Sequence, residues 1–234
     1  MSTRILLAAA LALSPLAGIA ATASAPRPFT ARYQVSQDGQ PMGEATVTLR
    51  PGPDGSWILR KDTKGTAGLA ALLGASTRET SRFRWQGTVP EALSYDYRLV
   101  TAGRDKQRHL QVDWPKRQVS VQDGKHASGY PAQPGMVERN TLPLAVGLAL
   151  DAGRQRLSLP VGVRQTVETE TFRVAGTETV KVPAGSFRAE RIERSDDARG
   201  FSAWYVPGRY PLPVKLAQRD GGNLVLELVT YSQP

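Results

Sequence analysis

Residues 29–35, Phe-Thr-Ala-Arg-Tyr-Gln-Val, alternate apolar and polar side chains without a break. A period of two places the two sets on opposite faces of an extended chain, so it predicts a strand with one face buried. The pattern recurs, and turn chemistry punctuates it. Asp38-Gly39-Gln40-Pro41 follows the first run; Ala45, Val47 and Leu49 alternate in the second; Pro51-Gly52-Pro53-Asp54-Gly55 ends that. Trp57 and Leu59, Phe83 and Trp85, then Leu93, Tyr95, Tyr97 and Leu99 continue it. Leu110, Val112 and Trp114 follow, and Val119 and Val121 lead into Asp123-Gly124, a dipeptide suited to a hairpin. After residue 177 the same rhythm returns and closes with Leu224, Leu226 and Leu228 on one face. Strands in such succession predict a mainly β, largely antiparallel sheet.

Two segments break the period. In Gly65-Thr-Ala-Gly-Leu-Ala-Ala-Leu-Leu-Gly74, Leu69, Leu72 and Leu73 have the spacing of one helical face. Ten residues are too few for a helix to persist without packing. In Asn140–Gly153, Leu142, Ala145, Val146, Ala149 and Leu150 form an amphipathic stripe. Asn140 or Thr141 is positioned to cap its start, Pro143 is tolerated in a first turn, and Gly153 ends it.

The N-terminus is read as an address. A basic start, the apolar run Ile5–Leu13 and small residues through Ala25 make the pattern of a secretory signal peptide. The apolar run is shorter than the about 20 residues a bilayer span requires. Cleavage after Ala23 is expected; cleavage after Ala25 would leave Pro26 first. Residues 24–234 then form one β-rich domain exported to the periplasm. With no cysteine in the chain, a lipid-anchored lipoprotein, disulfides, thiol nucleophiles and thiolate metal sites are excluded.

The formal net charge is +9. The basic residues are scattered, which is the pattern of a solvated surface. For an exported chain, anionic lipid head groups of a membrane surface or acidic polymers are the expected electrostatic partners, and nucleic acid is not.

No catalytic constellation is visible. His109 lies opposite the apolar face of its strand, and His126 sits beside a turn; neither has metal-ligand spacing. Glu168 with Glu170, and Glu190 with Glu193, are carboxylate pairs in arginine-rich strands, better suited to cross-strand charge pairing than to acid–base work. The expectation is a non-enzymatic protein with no catalytic residue, metal or cofactor.

Several stretches together resemble a known family. FTARYQVSQDGQPMGEATVTLR, KGTAGLAALLG, YDYR, KVPAGSFRAERIER and AWYVPGRYPLPVKL occur in that order. They resemble the domain-of-unknown-function family 3108, exported proteins of Gram-negative bacteria, over nearly the whole exported chain. In outline the family is similar to half-barrel lipoprotein carriers of the LolA and LolB type. That resemblance implies a single curved antiparallel sheet, an open or half barrel, closed by one or two short helices. It also gives residues 65–74 a role, either as a fixed plug or as a movable lid over the concavity.

The function expected on these grounds is a periplasmic binding protein for a lipidic or other apolar ligand, such as a lipid or lipoprotein acyl chain, in cell-envelope maintenance. The expected lining is Leu69, Leu72, Leu73, Phe83, Trp85, Tyr95, Tyr97, Trp114, Leu142, Val146 and Trp204. The alternatives are a structural or interaction protein of the envelope with a filled core, and a hydrolase acting on envelope polysaccharide or lipid. Oligomeric state is left open.

Overall fold

The computed structural model describes residues 26–196, 200–219 and 222–234. The expected signal peptide, residues 1–23, lies outside them. Alternation becomes strand wherever the sequence carries it. The first run is β1 (Phe29–Gln37), β2 (Gln40–Pro51), β3 (Trp57–Gly65), β4 (Ser76–Gln86), β5 (Val89–Thr101), β6 (Arg104–Asp113), β7 (Gln118–Asp123) and β8 (His126–Pro131). The second is β9 (Val137–Glu138), β10 (Arg156–Gly162), β11 (Val167–Val182), β12 (Gly185–Arg194), β13 (Phe201–Tyr205), β14 (Lys215–Gln218) and β15 (Leu224–Ser232).

All belong to one sheet with β8 and β9 at its edges. Strands adjacent in sequence pair antiparallel within each run, except that β9 and β10 are parallel. A parallel pair needs a crossover, and the helix α2 (Leu142–Asp151) supplies it. β1 pairs with β15, setting Val35 opposite Leu226, and this joins the two runs.

The expected open, curved sheet is what the chain forms. It curls until its far ends adjoin without a backbone ladder between them. Side chains cross the seam instead. Ser128 Oγ–H donates to Arg164 O at 2.9 Å, Tyr130 O–H donates to Val163 O, and Asp123 forms an ion pair with Arg164.

The two helices have opposite fates. α2 begins and ends close to where its stripe predicts, and Gly153 follows it in the left-handed region (φ 77°). It is not amphipathic, however. Leu144, Gly147 and Leu148 are buried along with Leu142, Ala145, Val146 and Leu150. A helix buried nearly all round is a core element, and α2 fills part of the space inside the curl. Leu144 and Leu148 pack with Phe29, Tyr33 and Val35; Val146 and Leu150 pack with Phe172, Ile192 and Tyr205. The expected side-chain cap from Asn140 or Thr141 is also absent, because a buried carboxylate takes that role, as described below. The second helix, α1 (Gly68–Leu72), projects between β3 and β4 with no buried residue.

The close seating of α2 depends on a missing side chain. A Cβ on Gly147 would overlap the Pro211 carbonyl oxygen and come within 3.2 Å of the Tyr205 ring. Glycine to alanine in a helix ordinarily gains about 1 kcal/mol. Here we expect Gly147→Ala to lose about 1–3 kcal/mol through overpacking, seen as a lower urea midpoint. An unchanged or higher midpoint would show that α2 slides freely along its bed.

Candidate functional site

α2 does not fill the whole interior. A cavity of about 620 Å³ remains between it and the sheet. Its apolar lining includes Val35, Leu142, Val146, Phe172, Leu216 and Leu226. Its polar lining includes Lys61, Glu79 and Tyr97 from β3, β4 and β5, and Arg139, Glu170 and Arg194. A second cavity of about 420 Å³ is lined by Tyr95, Arg108, Leu110, Arg139 and the β10–β11 turn, so Arg139 borders both.

Strand register builds the polar wall. Lys61, Glu79, Tyr97, Arg108 and Asp123 stand opposite one another in turn across β3, β4, β5, β6 and β7. Lys61 Nζ lies 2.7 Å from Glu79 Oε1, and Tyr95 O–H donates to Glu79 Oε2 at 2.8 Å. The Arg108 guanidinium stands 5.8 Å over the Tyr97 ring and 3.3 Å from Asp123. Asp123 continues the row to Arg164 across the seam. Facing it, Arg139 pairs with Glu170 and, at 3.1 Å, with Glu168; Arg194 approaches Glu170 at 3.4 Å.

Burial and partners compete at each carboxyl group. Burial works against charge on Asp123, but Arg108 and Arg164 together hold it below the usual carboxylate range. At Glu170, which is 1% exposed, burial wins over Arg139 and Arg194 and raises the carboxyl above its ordinary value. Burial raises the Tyr95 and Tyr97 hydroxyls, with Glu79 adding to both.

Glu138 secures the start of α2 beside this wall. Its carboxylate accepts Asn140 N–H at 2.7 Å and Thr141 N–H at 3.1 Å, two amides at the helix N-terminus. The Asn140 side chain is thereby free to donate to Ser81 Oγ at 2.8 Å and Leu59 O at 3.2 Å, tying the helix to β4 and β3.

The residues expected to line a site separate into groups. Tyr97, Leu142 and Val146 line the larger cavity, and Tyr95 the smaller. Phe83 is buried in the main core against Trp85, ring centroids 4.8 Å apart. Trp114 donates Nε1–H to Ala92 O at 2.9 Å, and Trp204 lies under Lys215; Trp85, Trp114 and Trp204 line neither cavity. Leu69, Leu72 and Leu73 are exposed and line neither. Lys61, Glu79, Arg108, Arg139 and Arg194 were not expected at a site. A signal for them exists: Lys61 lies two residues after Leu59, Arg108 two before Leu110, and Glu170 two before Phe172, all at inward positions of an alternating strand.

Of the carboxylates read as charge pairs, Glu168 and Glu170 meet Arg139 and Glu193 meets its register partner Arg173 at 3.4 Å, whereas Glu190 Oε2 is buried without a hydrogen-bond partner. His109 faces outward, with Nδ1 2.7 Å from Asp96. Among the described residues no group of three or more His, Asp or Glu could hold a metal ion.

The family model described as "Protein of unknown function (DUF3108)" matches residues 32–229. The chain belongs to this family. The family resemblance of its sequence segments is thus confirmed. Among solved structures, it is similar to a β-barrel-like protein with the domain of unknown function DUF1849 from Brucella abortus. That likeness has 9% identity and a TM-score of 0.51, and covers 89% of this chain and 98% of that one. At that identity it shows a shared barrel-like fold alone. No curated protein matches the sequence.

The Glu138 carboxyl supplies a pH test. Burial raises it above its ordinary value of 4.5; hydrogen bonds from Ser81, Asn140 and Thr141 oppose that rise, and Glu79 adds to it. The folded protein therefore keeps this proton after the unfolded chain has released it. The resulting stabilisation is complete below the unfolded value and is lost as pH rises through the folded one. Glu138→Gln should flatten the decline of unfolding free energy above pH 4.5. It should also lose about 1–3 kcal/mol throughout, because an amide donor replaces an acceptor. Urea titrations over a pH series read both effects, and a slope equal to that of the unsubstituted protein would show that the carboxyl titrates normally.

Proposed function

We propose that this family member is a non-enzymatic binding protein for a lipidic or other apolar ligand, acting in the periplasm. The observation that carries the reading is the lining of the larger cavity, which combines a group of apolar side chains with a group of charged ones. A ligand with an apolar tail would lie against Val35, Leu216 and Leu226 on the sheet and Leu142 and Val146 on α2. Its polar end would face Lys61, Arg139 and Arg194. The volume of about 620 Å³ falls within the roughly 300–1,000 Å³ of small-molecule sites.

A binding role rather than catalysis is supported by the state of the inward carboxylates. Glu79 is held by Lys61, and Glu170 by Arg139 and Arg194. Each compensates a neighbouring cation and is committed to it, whereas a general base needs reach to a substrate proton. The periplasmic assignment rests on the signal-peptide pattern of residues 1–23.

The test is the mass of the protein as exported. Purified from the periplasm without detergent, the exported chain should carry lipid-mass adducts in native mass spectrometry that vanish on denaturation. Leu226→Glu should reduce occupancy by about ten-fold or more, because it puts a charge against the ligand's apolar part, with strand content by circular dichroism unchanged. A bare mass after incubation with envelope phospholipid would overturn the proposal and favour an interaction protein.

A further inference from the structure

Leu69 and Leu72 are 69% and 84% exposed, and Leu73 joins them at 39%. An apolar group this exposed on a small projection calls for a partner. The backbone around it is fixed. Thr66 N–H and Ala67 N–H both donate to Met42 O, at 3.1 and 3.2 Å. Gly65 N–H donates to Ala75 O, and Ala102 N–H to Leu73 O, each at 2.8 Å. A Cβ on Gly65 would come within 2.7 Å of the Ala70 carbonyl group, so the helix rests directly on this glycine. Gly68 and Gly74 bracket the projection in the left-handed region, at φ 54° and 58°. The leucines are thus held outward by clamped backbone.

The position of the projection matters as much. Met42, which anchors it, also lines the larger cavity, as do Thr63, Gln218 and Leu224 from the same end of the sheet. Lys64, Arg104 and Lys125 belong to that end and make no ion pair among the described residues. Of the acids there, Asp105 is engaged by Arg98 at 2.6 Å, Asp38 accepts from Asn223 Nδ2 at 2.8 Å, and Glu44 stands opposite Lys64 in register. Leucines beside exposed cations, Arg104 and Lys125 above all, match the boundary of an anionic bilayer, where acyl chains lie just below a layer of phosphates.

We propose that residues 65–74 form a membrane-docking spur that sets the cavity-bearing end of the sheet against an anionic bilayer. The spur acts through its own contacts, so docking is separable from what the cavity holds: vesicle binding reads the one, native mass the other. The exported chain, purified from the periplasm, should co-sediment with phosphatidylethanolamine vesicles containing phosphatidylglycerol, less with vesicles lacking it, and less at high salt. Leu72→Glu should weaken this binding by about ten-fold or more. Its melting temperature should stay unchanged, since the side chain touches little. Lys64→Glu with Arg104→Glu should weaken binding to the anionic vesicles only. Val229→Glu, a substitution at an exposed apolar residue outside the spur, should leave binding intact. The proposal falls if the unsubstituted protein ignores anionic vesicles, or if Leu72→Glu and Val229→Glu behave alike. It falls equally if the protein is a dimer that Leu72→Glu dissolves and that never binds vesicles, for the spur would then join two copies of the chain.

Discussion

A sheet of this width cannot fill itself. Roughly eight strands closed into a barrel leave an interior that side chains alone can occupy, and a wider sheet leaves room for something more. Here the sheet runs through fifteen strands from β8 to β9, and its inner face must be covered from within. α2 meets that requirement among the described residues. It is carried inside by the crossover that the parallel β9–β10 pair demands, and it is apolar on nearly every side. The cavity is what the helix leaves uncovered. Its dimensions follow from where α2 sits, and that is set by Gly147 against Pro211 on one flank and by Glu138 at the helix start.

The charged wall needs a different explanation, since removing an ion from water costs several kcal/mol after relaxation. The side chains of the row answer each other in sequence: Lys61 with Glu79, Arg108 with Asp123, Asp123 with Arg164. Such pairs are weak evidence for stability. What they confer is position. Each member is fixed by strand register and by a partner on a neighbouring element, so the wall presents the same charges in the same order to whatever enters. Asp123 does double service, because its link to Arg164 is also one of the contacts closing the seam where the sheet has no ladder.

Much of this was legible in the sequence, and the omissions have a common cause. Alternation marked the strands because one face is apolar; Phe29, Ala31, Tyr33 and Val35 are all buried. The stripe from Leu142 to Leu150 marked α2, although Leu144 and Leu148 lie off that stripe and are buried too. The inward charges were hidden because charge in a strand is ordinarily read as the outer face. Lys61 continues the face of Leu59 and Arg108 that of Leu110, so the period placed them inside while their chemistry argued for outside. The aromatic residues misled in the opposite direction. Trp114 and Trp204 have polar partners of their own for the indole N–H and are spent on packing. Pairings across long separations, such as Asn140 with Ser81, leave no local trace in the chain at all.

The contrast between the two helices shows that composition does not decide burial. Both are rich in leucine and alanine, and full burial of a leucine is worth about 1.5–3 kcal/mol. α2 collects that energy, and α1 forgoes it. The difference is in the backbone that carries them. α2 is delivered into the interior by a parallel crossover. α1 is confined to the short link between two antiparallel neighbours, β3 and β4, with Gly65 beneath it and left-handed glycines on both sides. That link is tied to Met42 O by the N–H groups of Thr66 and Ala67. Substituting polar residues for Leu69 and Leu72 would relieve the exposure without touching the core. The apolar surface is therefore not forced by folding, and this leaves residues 65–74 available for the docking role proposed for them.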